Sequence, residues 1–254
     1  MKGVILAGGT GSRLHPLTRI TNKHLLPVFD RPMISFAIEA LVGSGLNEIM
    51  LVTGGTHAGE FLRLLGNGHE HGVDRLLYAY QERPGGIAEA LALTERFVEG
   101  DRVLVMLADN VFERSIAGSV ERFREQGRGG RILLSELADP SHLRHLGVPE
   151  MEGGKVAKIV EKPATPPSPY AVTGVYMYDE RVYRVIGGLS PSGRGELEIT
   201  DVNNWYVERG EMEYDVVGGF WGDAGESIDA YYAVNDFVRA HGANRPAPDG
   251  ARPT

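Results

Sequence analysis

The chain has 254 residues, 42% of them hydrophobic and 24% charged, which is typical of one globular domain, or of one domain with a modest insertion. Its formal net charge is 26 − 34 = −8 with no basic block, which argues against nucleic-acid binding, and the absence of cysteine excludes disulfides, thiolate catalysis and cysteine-ligated metals. No apolar run approaches the ~18 residues of a membrane span, and the apolar start is too short for a signal peptide, so we expect a cytoplasmic protein.

The first half alternates apolar runs with helical periods. Residues 4–7, 49–52 and 103–107 are continuously apolar, which is typical of strands that are buried on both faces of a parallel sheet. Between them, apolar residues recur at helical spacing over residues 34–42 and, more weakly, over residues 116–123. This order predicts an α/β fold with a doubly wound, mostly parallel sheet, whose ligands bind beyond the carboxyl ends of the strands.

The second half is richer in strands. Strand patterns occupy residues 131–137, 155–161 and 172–178, without long helices between them. Helices are predicted over residues 197–208 and 227–240.

A glycine-rich loop follows the first predicted strand. Gly8, Gly9 and Gly11 offer backbone N–H groups that can close around an anion. The loop lacks the third glycine of the dinucleotide fingerprint and the lysine-serine or lysine-threonine pair of the P-loop. Arg13 follows it at once and Lys23 ten residues later. Two cations beside such a loop suit a triphosphate; a tight turn with a surface arginine is the alternative interpretation.

Two aspartates are candidate metal ligands. Asp109 follows the apolar run of residues 103–107, where a carboxylate is costly unless it is paired or solvated. Mg²⁺ prefers one or two carboxylates together with phosphate oxygens and water, and Asp223 is the best second carboxylate. The alternatives are a helix N-cap for Asp109 and a turn for Asp223.

Several segments together resemble a known family. Residues 6–14 and 22–27 closely resemble the signature of the sugar-phosphate nucleotidyltransferases, and residues 194–201 resemble the run that marks their glucose-1-phosphate thymidylyltransferase branch. Further similar segments are residues 81–90, 107–110, 161–163 and 170–174. The resemblance extends from residue 3 to about residue 235, which is nearly the whole chain.

The resemblance implies an enzyme with the Rossmann-like nucleotidyltransferase fold. A phosphate oxygen of glucose 1-phosphate would attack the α-phosphate of dTTP, and pyrophosphate would leave in line, with Mg²⁺ as cofactor. This chemistry consists mostly of positioning and charge neutralisation. Transfer of UMP or CMP, and a non-catalytic nucleotide-sugar sensor, are the alternatives; the presence of Lys23 and Asp109 argues against the sensor.

The resemblance also implies roles for single residues. Arg13 and Lys23 are the implied catalytic residues, and Asp109 and Asp223 the implied Mg²⁺ ligands. The implied nucleotide-binding residues are Gly8, Gly9, Gly11, Arg13, Lys23, Gln81, Gly86 and Asp109, with Gln81 at the thymine edge. The implied sugar-phosphate-binding residues are Asn110, Gly147, Glu161, Lys162, Val172, Thr173, Tyr176 and Arg194, with Lys162 and Arg194 on the phosphate.

Three positions depart from the family pattern. His24, Leu146 and Ala224 stand where glutamine, an aromatic residue and threonine are usual. None of them removes a charge that the reaction needs, but they leave the nucleotide and sugar preference open.

The expected organisation is one nucleotidyltransferase domain over residues 1–241. Its nucleotide-binding part covers residues 1–130, its strand-rich sugar-binding part residues 131–225, and residues 242–254 form a loose tail. Longer members of the family continue into C-terminal helices that form a regulatory surface, whereas only 254 − 223 = 31 residues follow Asp223 here. We therefore expect nucleotide sugars to inhibit only at the active site. The oligomeric state is open, and a homo-oligomer is one alternative.

Overall fold

The computed structural model describes residues 1–246, which contain thirteen strands and nine α-helices. The strands are β1 (Lys2–Ala7), β2 (Pro27–Val28), β3 (Arg31–Pro32), β4 (Glu48–Gly54), β5 (Arg75–Gln81), β6 (Val103–Leu107), β7 (Asn110–Phe112), β8 (Gly130–Glu136), β9 (Gly147–Glu152), β10 (Lys155–Glu161), β11 (Tyr170–Tyr178), β12 (Met212–Val216) and β13 (Trp221–Asp223). The helices are α1 (Met33–Val42), α2 (Ala58–Leu65), α3 (Ile87–Ala92), α4 (Glu95–Val98), α5 (Ala117–Gln126), α6 (Pro140–Leu143), α7 (Val182–Gly187), α8 (Ile199–Val207) and α9 (Ile228–His241). No helix within residues 1–246 combines the length and apolar character that crossing a membrane requires.

Seven strands form the central sheet, in the order β12-β8-β11-β6-β1-β4-β5. β1 runs parallel to β4 and β6, whereas β11 runs antiparallel to both of its neighbours, β6 and β8. The chain builds the sheet outward from β1 to β4 and β5, and then returns to place β6 on the other side of β1. The prediction of a doubly wound, mostly parallel sheet is confirmed, and its crevice opens beyond the carboxyl ends of β1 and β6.

Burial on both faces explains the continuous apolarity of β1. Val4 and Leu6 pack into the apolar cluster on one face of the sheet, and Ile5 and Ala7 into the cluster on the other. Helices α1, α2 and α5 contribute to one cluster, and α3, α4, α7 and α8 to the other. Because neither face of β1 meets water, no polar alternation is left in its sequence.

Strand β5 lies at the edge of the sheet and has no clear apolar run. Tyr80 is 51% exposed, and only Leu76 and Gln81 of this strand are buried. An edge strand is covered less completely than a central one, so its sequence mixes polar and apolar residues. The parallel register places Gln81 opposite Gly54 of β4, which brings Gln81 to the carboxyl edge of the sheet.

Helix α9 fixes the last part of the described chain. The Ser227 hydroxyl caps it by accepting a hydrogen bond from the Ala230 N–H (3.0 Å). Its apolar face packs against Leu14 and Val111, which lie beside the glycine loop and on β7. β7 in turn pairs with β13, which directly precedes this helix, so Asp223 stands opposite Asn110.

The first five residues of the predicted loose tail differ from that expectation. The Asn244 N–H donates to the Phe112 carbonyl (2.8 Å), and the Arg245 N–H donates to the Glu113 carbonyl (2.9 Å). The Asn244 side chain also donates to the Phe36 carbonyl (2.9 Å). These bonds fix residues 242–246 against the domain, and residues 247–254 lie outside the described part of the chain.

Candidate active site

A cleft of about 370 Å³ opens beyond the carboxyl ends of β1 and β6. The glycine loop, the end of β5, the β9–β10 hairpin, β11 and β13 all contribute to its walls. All of the predicted site residues except Gly11 and Thr173 line it, namely Gly8, Gly9, Arg13, Lys23, Gln81, Gly86, Asp109, Asn110, Gly147, Glu161, Lys162, Val172, Tyr176, Arg194 and Asp223. The fold therefore brings together residues that are far apart in the sequence.

The two exceptions do not line the cleft. The Gly11 carbonyl accepts a hydrogen bond from Thr18 Oγ1 (2.7 Å), and Gly11 has a φ of 64°, so it shapes the turn of the loop. Thr173 is 1% exposed and lies on β11 between Val172 and Gly174, both of which line the cleft. Successive side chains of a strand point to opposite faces, so Thr173 points away from the predicted sugar contact.

A buried ion pair forms the centre of the cleft. Lys23 Nζ lies 2.5 Å from Asp109 Oδ2, and His24 Nε2 lies 3.9 Å from the same oxygen. Lys23 begins a short 3-10 turn that Asn22 caps, because Asn22 Oδ1 accepts from the His24 N–H (2.9 Å). The cap places Lys23 against the carboxyl end of β6, where Asp109 follows.

Opposing effects set the charges of this pair. Burial raises the pKa of Asp109, but the Lys23 charge and the neighbouring His24 side chain outweigh it and hold that pKa well below its ordinary value. Burial lowers the pKa of Lys23, but the Asp109 and Asp223 carboxylates outweigh it and raise that pKa. Burial lowers the pKa of His24. The pair is therefore ionised, beside a neutral imidazole.

Asp223 approaches the pair through backbone pairing. β13 places Asp223 opposite Asn110, and the Ala224 N–H donates to the Asp109 carbonyl (2.9 Å). Burial and the negative charge of Asp109 raise the pKa of Asp223 to about 7. A Cβ on Gly225 would lie 2.5 Å from Asp109 Oδ2, so only glycine lets this segment approach so closely. The result is a crowded site with two carboxylates and one lysine.

The two carboxylates fit a magnesium ion. Asp109 and Asp223 lie on paired strands or directly beside them, and both face the cleft. Within residues 1–246, no group of three or more histidine, cysteine or acidic residues could hold a metal alone. Mg²⁺ characteristically takes one or two carboxylates and fills its remaining positions with phosphate oxygens and water. The donor set is therefore suitable for Mg²⁺ that binds together with a phosphate-bearing substrate.

Gln81 and Gly86 form the end of the cleft that lies beside β5. Gln81 Nε2 donates to the Gly86 carbonyl (3.3 Å). The Leu197 N–H donates to the Gly85 carbonyl (2.8 Å), and the Ala88 N–H donates to the Leu197 carbonyl (3.2 Å). These bonds join the start of α3 to the segment that precedes α8 and close this end of the cleft.

Gly86 is required at its position for two reasons. Its φ is 99°, and a Cβ there would collide with the carbonyl oxygen of Leu197. We expect Gly86→Ala to destabilise the fold by about 1–3 kcal/mol, because alanine is strained at this backbone conformation and also clashes. For a chain of this size each kcal/mol lowers the Tm by about 2–4 °C, which calorimetry can measure.

Gly100→Ala is the matched control for that variant. Gly100 also has a positive φ, 75°, but a Cβ there would meet nothing within 4 Å. The difference in Tm between the two variants reports the contact with Leu197 together with the stronger backbone strain at Gly86, whose ψ is 170°. Equal Tm values would contradict a specific steric role for Gly86.

Glu161 is the centre of the other end of the cleft. It ends β10 opposite Gly147 of β9, and its Oε2 accepts a hydrogen bond from Thr200 Oγ1 (2.7 Å). Its Oε1 lies 3.3 Å from Lys162 Nζ and 3.6 Å from Arg194 Nη2. One carboxylate thus holds two cations at the edge of the cleft.

Arg194 is held mainly by Glu198. Its Nη2 and Nε donate to the Glu198 carboxylate (2.9 and 3.2 Å), and Ser192 Oγ donates to Glu198 Oε1 (2.7 Å). Glu198 contacts the edge of the guanidinium that carries Nε and Nη2. Because arginine has five donors in a planar fork, the remaining donors can still contact an anion.

Sequence reasoning missed several residues of the cleft. Trp221 Nε1 donates to Asn110 Oδ1 (2.6 Å), which also accepts the Gly174 N–H (2.8 Å), so Asn110 links β7 to β11 and β13. The lining residues not singled out are Leu6, Pro84, Ile87, Ala90, Leu107, His145, Ile159, Gly174, Glu196, Glu198, Ile199, Thr200, Asn203 and Trp221. Sequence analysis could have found four of them, because the run of residues 194–201 that resembles the family contains Glu196, Glu198, Ile199 and Thr200.

Comparisons with known proteins give the family of this chain. The nucleotidyl transferase family model matches residues 2–241. The glucose-1-phosphate thymidylyltransferase of Actinoplanes sp. is 46% identical over 94% of this chain and 78% of its own length. That of Mycolicibacterium smegmatis is 41% identical over 94% of this chain and 82% of its own length.

Solved structures give the same result. A crystal structure from Bacillus anthracis, assigned as a glucose-1-phosphate thymidylyltransferase in complex with a sucrose, is 47% identical, covers 94% of this chain and 95% of its own, and superposes with a TM-score of 0.89. A UDP-glucose pyrophosphorylase complexed with UDP-glucose covers 94% of this chain and 98% of its own, with a TM-score of 0.79; at 20% identity it supports the fold alone. The family resemblance of the sequence is thereby confirmed: this chain belongs to the nucleotidyl transferase family.

Proposed function

We propose that this enzyme transfers dTMP from dTTP to glucose 1-phosphate and releases pyrophosphate, with dTDP-glucose as the product. The observation that carries the proposal is the order of charges along one cleft. Arg13 and Lys23 lie beside the glycine loop, where Lys23 pairs with Asp109, whereas Lys162 and Arg194 lie beside Glu161. Two separated pairs of cations suit two phosphate-bearing substrates. The names of the relatives at 40–46% identity support the same activity.

The chemistry needs no general base. The attacking oxygen belongs to a phosphate monoester that is already an anion. It forms a bond to the α-phosphorus of dTTP while the bond to the β-phosphate bridging oxygen breaks, and pyrophosphate leaves with that electron pair. Such transfers depend on in-line positioning and on neutralising the spread negative charge.

Lys23 is the group best placed to neutralise that charge. Asp109 holds its Nζ at 2.5 Å, within the cleft and beside the glycine loop. A cation that is fixed before the reaction needs no reorganisation as charge develops. Arg13, which directly follows the glycine loop, is assigned to the outer phosphates and the departing pyrophosphate.

Mg²⁺ is part of the proposal. Asp109 and Asp223 would hold it, and when bound it supplies positive charge at the phosphate oxygens of the nucleotide. The raised pKa of Asp223 fits this assignment, since two carboxylates that share one lysine gain from a second cation. The pairing of β7 with β13 places the carboxylates of Asp109 and Asp223 at the same end of these two strands.

The sugar phosphate is assigned to the β9–β10 end of the cleft. Lys162 and Arg194 would bind its phosphate, and Glu161 and Gly147 would bind sugar hydroxyls. Val172 and Tyr176 of β11 form the wall between this end and the central ion pair. The antiparallel direction of β11 brings its first half to the edge where the parallel strands end.

The test is pyrophosphate release from each nucleoside triphosphate with glucose 1-phosphate and Mg²⁺. We expect turnover with dTTP that stops when EDTA removes the metal and that requires glucose 1-phosphate. Binding of dTTP without pyrophosphate release under any condition would favour the sensor alternative. Turnover with CTP but not with dTTP would contradict the proposed nucleotide.

Glu161→Ala should raise KM for glucose 1-phosphate about tenfold or more, because it removes the proposed sugar contact and the carboxylate beside Lys162 and Arg194, while Glu198 still holds Arg194. KM for dTTP should change little, since Lys23 and the glycine loop lie at the other end of the cleft. Steady-state kinetics with each substrate varied in turn measures both constants.

Glu161→Gln is the matched variant. It keeps an oxygen that can accept from Thr200 Oγ1 but loses the charge that holds the two cations. An intermediate KM for glucose 1-phosphate is expected. Equal increases in both KM values would contradict the division of the chain into nucleotide-binding and sugar-binding parts. That division stays a prediction, as does the cytoplasmic location, and the oligomeric state stays open.

A further inference from the structure

The orientation of the Gln81 amide is fixed by two acceptors. Gln81 is 8% exposed, and its Nε2 donates to the Gly86 carbonyl and to Glu89 Oε1, each at 3.3 Å. A backbone carbonyl and a carboxylate accept hydrogen bonds and do not donate them. The reversed amide would place its oxygen against two other oxygens. The NH₂ group must therefore face Gly86 and Glu89.

The Gln81 oxygen faces the cleft as a result. Its Oε1 lies on the side of the glycine loop, 3.3 Å from the point that a Cβ on Gly8 would occupy. Gly8 and Gln81 both line the cleft. A planar base that enters between the glycine loop and the end of β5 therefore meets a hydrogen-bond acceptor, with the donors of the same amide directed away from it.

Glu89 itself stands behind Gln81. It lies in the first turn of α3, and the cleft is lined there by Gly86, Ile87 and Ala90 instead. Its carboxylate packs directly against Gly85, where any Cβ would collide with it. Arg83 Nη2 lies 3.5 Å from its other oxygen. Because Gly85 has no side chain, the Glu89 carboxylate can lie beside Gln81 Nε2.

We propose that Glu89 is a positioning residue that determines base specificity through the Gln81 amide. Thymine and uracil carry an N–H at position 3 of the ring, which can donate to Gln81 Oε1. Cytosine has a lone pair at that position, which would face the lone pairs of Oε1. The arrangement selects imide bases over cytosine and does not separate thymine from uracil. This inference rests on the proposed function, because it takes the nucleotide to lie at this end of the cleft.

The energetic basis is the cost of an unpaired acceptor. A buried polar group that loses its partner costs about 1–3 kcal/mol, which corresponds to roughly tenfold or more in relative affinity. The penalty with cytosine holds only while the amide cannot rotate. Glu89 opposes the rotation together with the Gly86 carbonyl, because a turned amide would set Gln81 Oε1 against both of these oxygens.

The experiment compares dTTP, UTP and CTP in the wild type, Glu89→Gln and Glu89→Ala. Two readouts are used: kcat/KM in pyrophosphate release and the Kd of each nucleotide by calorimetry without sugar phosphate. Glu95→Gln is the control, because it makes the same charge change at an exposed position on α4. We expect the wild type to prefer dTTP and UTP to CTP, and the control to keep this preference.

Both Glu89 variants should lower the dTTP-to-CTP ratio by about three- to tenfold, because only the Gly86 carbonyl then opposes turning the donors of the Gln81 amide toward N3 of cytosine. In Glu89→Gln the new amide can also donate to the turned Gln81 Oε1. KM for glucose 1-phosphate should not change. Glu89→Gln is nearly isosteric and carries the test if Glu89→Ala does not fold.

Two results would overturn the inference. One is a dTTP-to-CTP ratio that stays at the wild-type value in both variants. If the variants only weaken binding of all three nucleotides together, the role of Glu89 is structural alone. The other is a wild type that binds CTP as tightly as dTTP. Wild-type protein that binds dTTP selectively but releases no pyrophosphate would contradict the proposed reaction, while the Kd ratios of the variants would still decide the role of Glu89.

Discussion

Lys23→Ala is expected to lower kcat by about 10²–10³-fold, with a much smaller effect on the Kd of dTTP. The reason is the fixed position of Lys23 Nζ, 2.5 Å from Asp109 Oδ2 and within the cleft. A cation that meets charge developed only in the transition state contributes to the rate more than to ground-state binding. Single-turnover kinetics together with nucleotide binding separates the two effects.

The same variant also leaves Asp109 as a buried carboxylate without its main partner. Breaking a buried ion pair by removing one member typically costs about 3–5 kcal/mol, so a lower Tm is expected as well. Rates must therefore be measured well below the Tm of the variant. Lys158→Ala is the control, because Lys158 is an exposed lysine of β10 outside the cleft. A Lys23→Ala enzyme with wild-type kcat would refute the catalytic assignment.

The central strands and the residues that follow them were predictable from local sequence. β1 and β6 are apolar throughout because both of their faces are covered, and the glycine loop and Asp109 follow them directly. In a doubly wound sheet the residues that follow such strands lie at the ligand edge. Pattern and chain position together were sufficient for this part of the site.

Contacts between distant segments were not predictable from local patterns. Asp223 reaches Asp109 because β13 pairs with β7, and three-residue strands leave no clear periodic signal. Local sequence made Asp223 a candidate second carboxylate but left a turn as the alternative, and the family resemblance implied that the two aspartates belong to one site.

Side-chain direction and hydrogen-bond partners were the least accessible features. Val172 and Thr173 were both assigned to the sugar, but alternate residues of β11 face opposite sides, and a shift in the register between Val172 and Tyr176 disturbs this strand locally. The bidentate grip of Glu198 on Arg194 and the two acceptors around Gln81 Nε2 depend on rotamers. Residue type and spacing do not specify these, because each depends on packing between elements.

Asp109→Asn and Asp223→Asn should each abolish Mg²⁺-dependent turnover but change stability in opposite directions. A carboxyl group whose folded pKa is depressed stabilises the fold above its unfolded pKa and loses this contribution as the pH falls. That is the case for Asp109, so Asp109→Asn should lower the Tm at neutral pH. The pKa of Asp223 is raised to about 7, so stability falls as the pH rises from about 4 to 7, and Asp223→Asn should remove that loss.

The measurement combines thermal unfolding in EDTA with a titration of turnover against Mg²⁺. Asp236→Asn is the control, because this exposed carboxylate on α9 is paired only with Arg239 among the described residues. The Lys23–Asp109 pair remains in Asp223→Asn. If that variant has an unchanged or higher Tm but no turnover, Asp223 is needed for metal binding and not for folding. If either variant keeps the wild-type dependence on Mg²⁺, that aspartate is not a ligand. If Asp223→Asn instead lowers the Tm as much as Asp109→Asn does, the two carboxylates do not repel each other and the electrostatic account of the site fails.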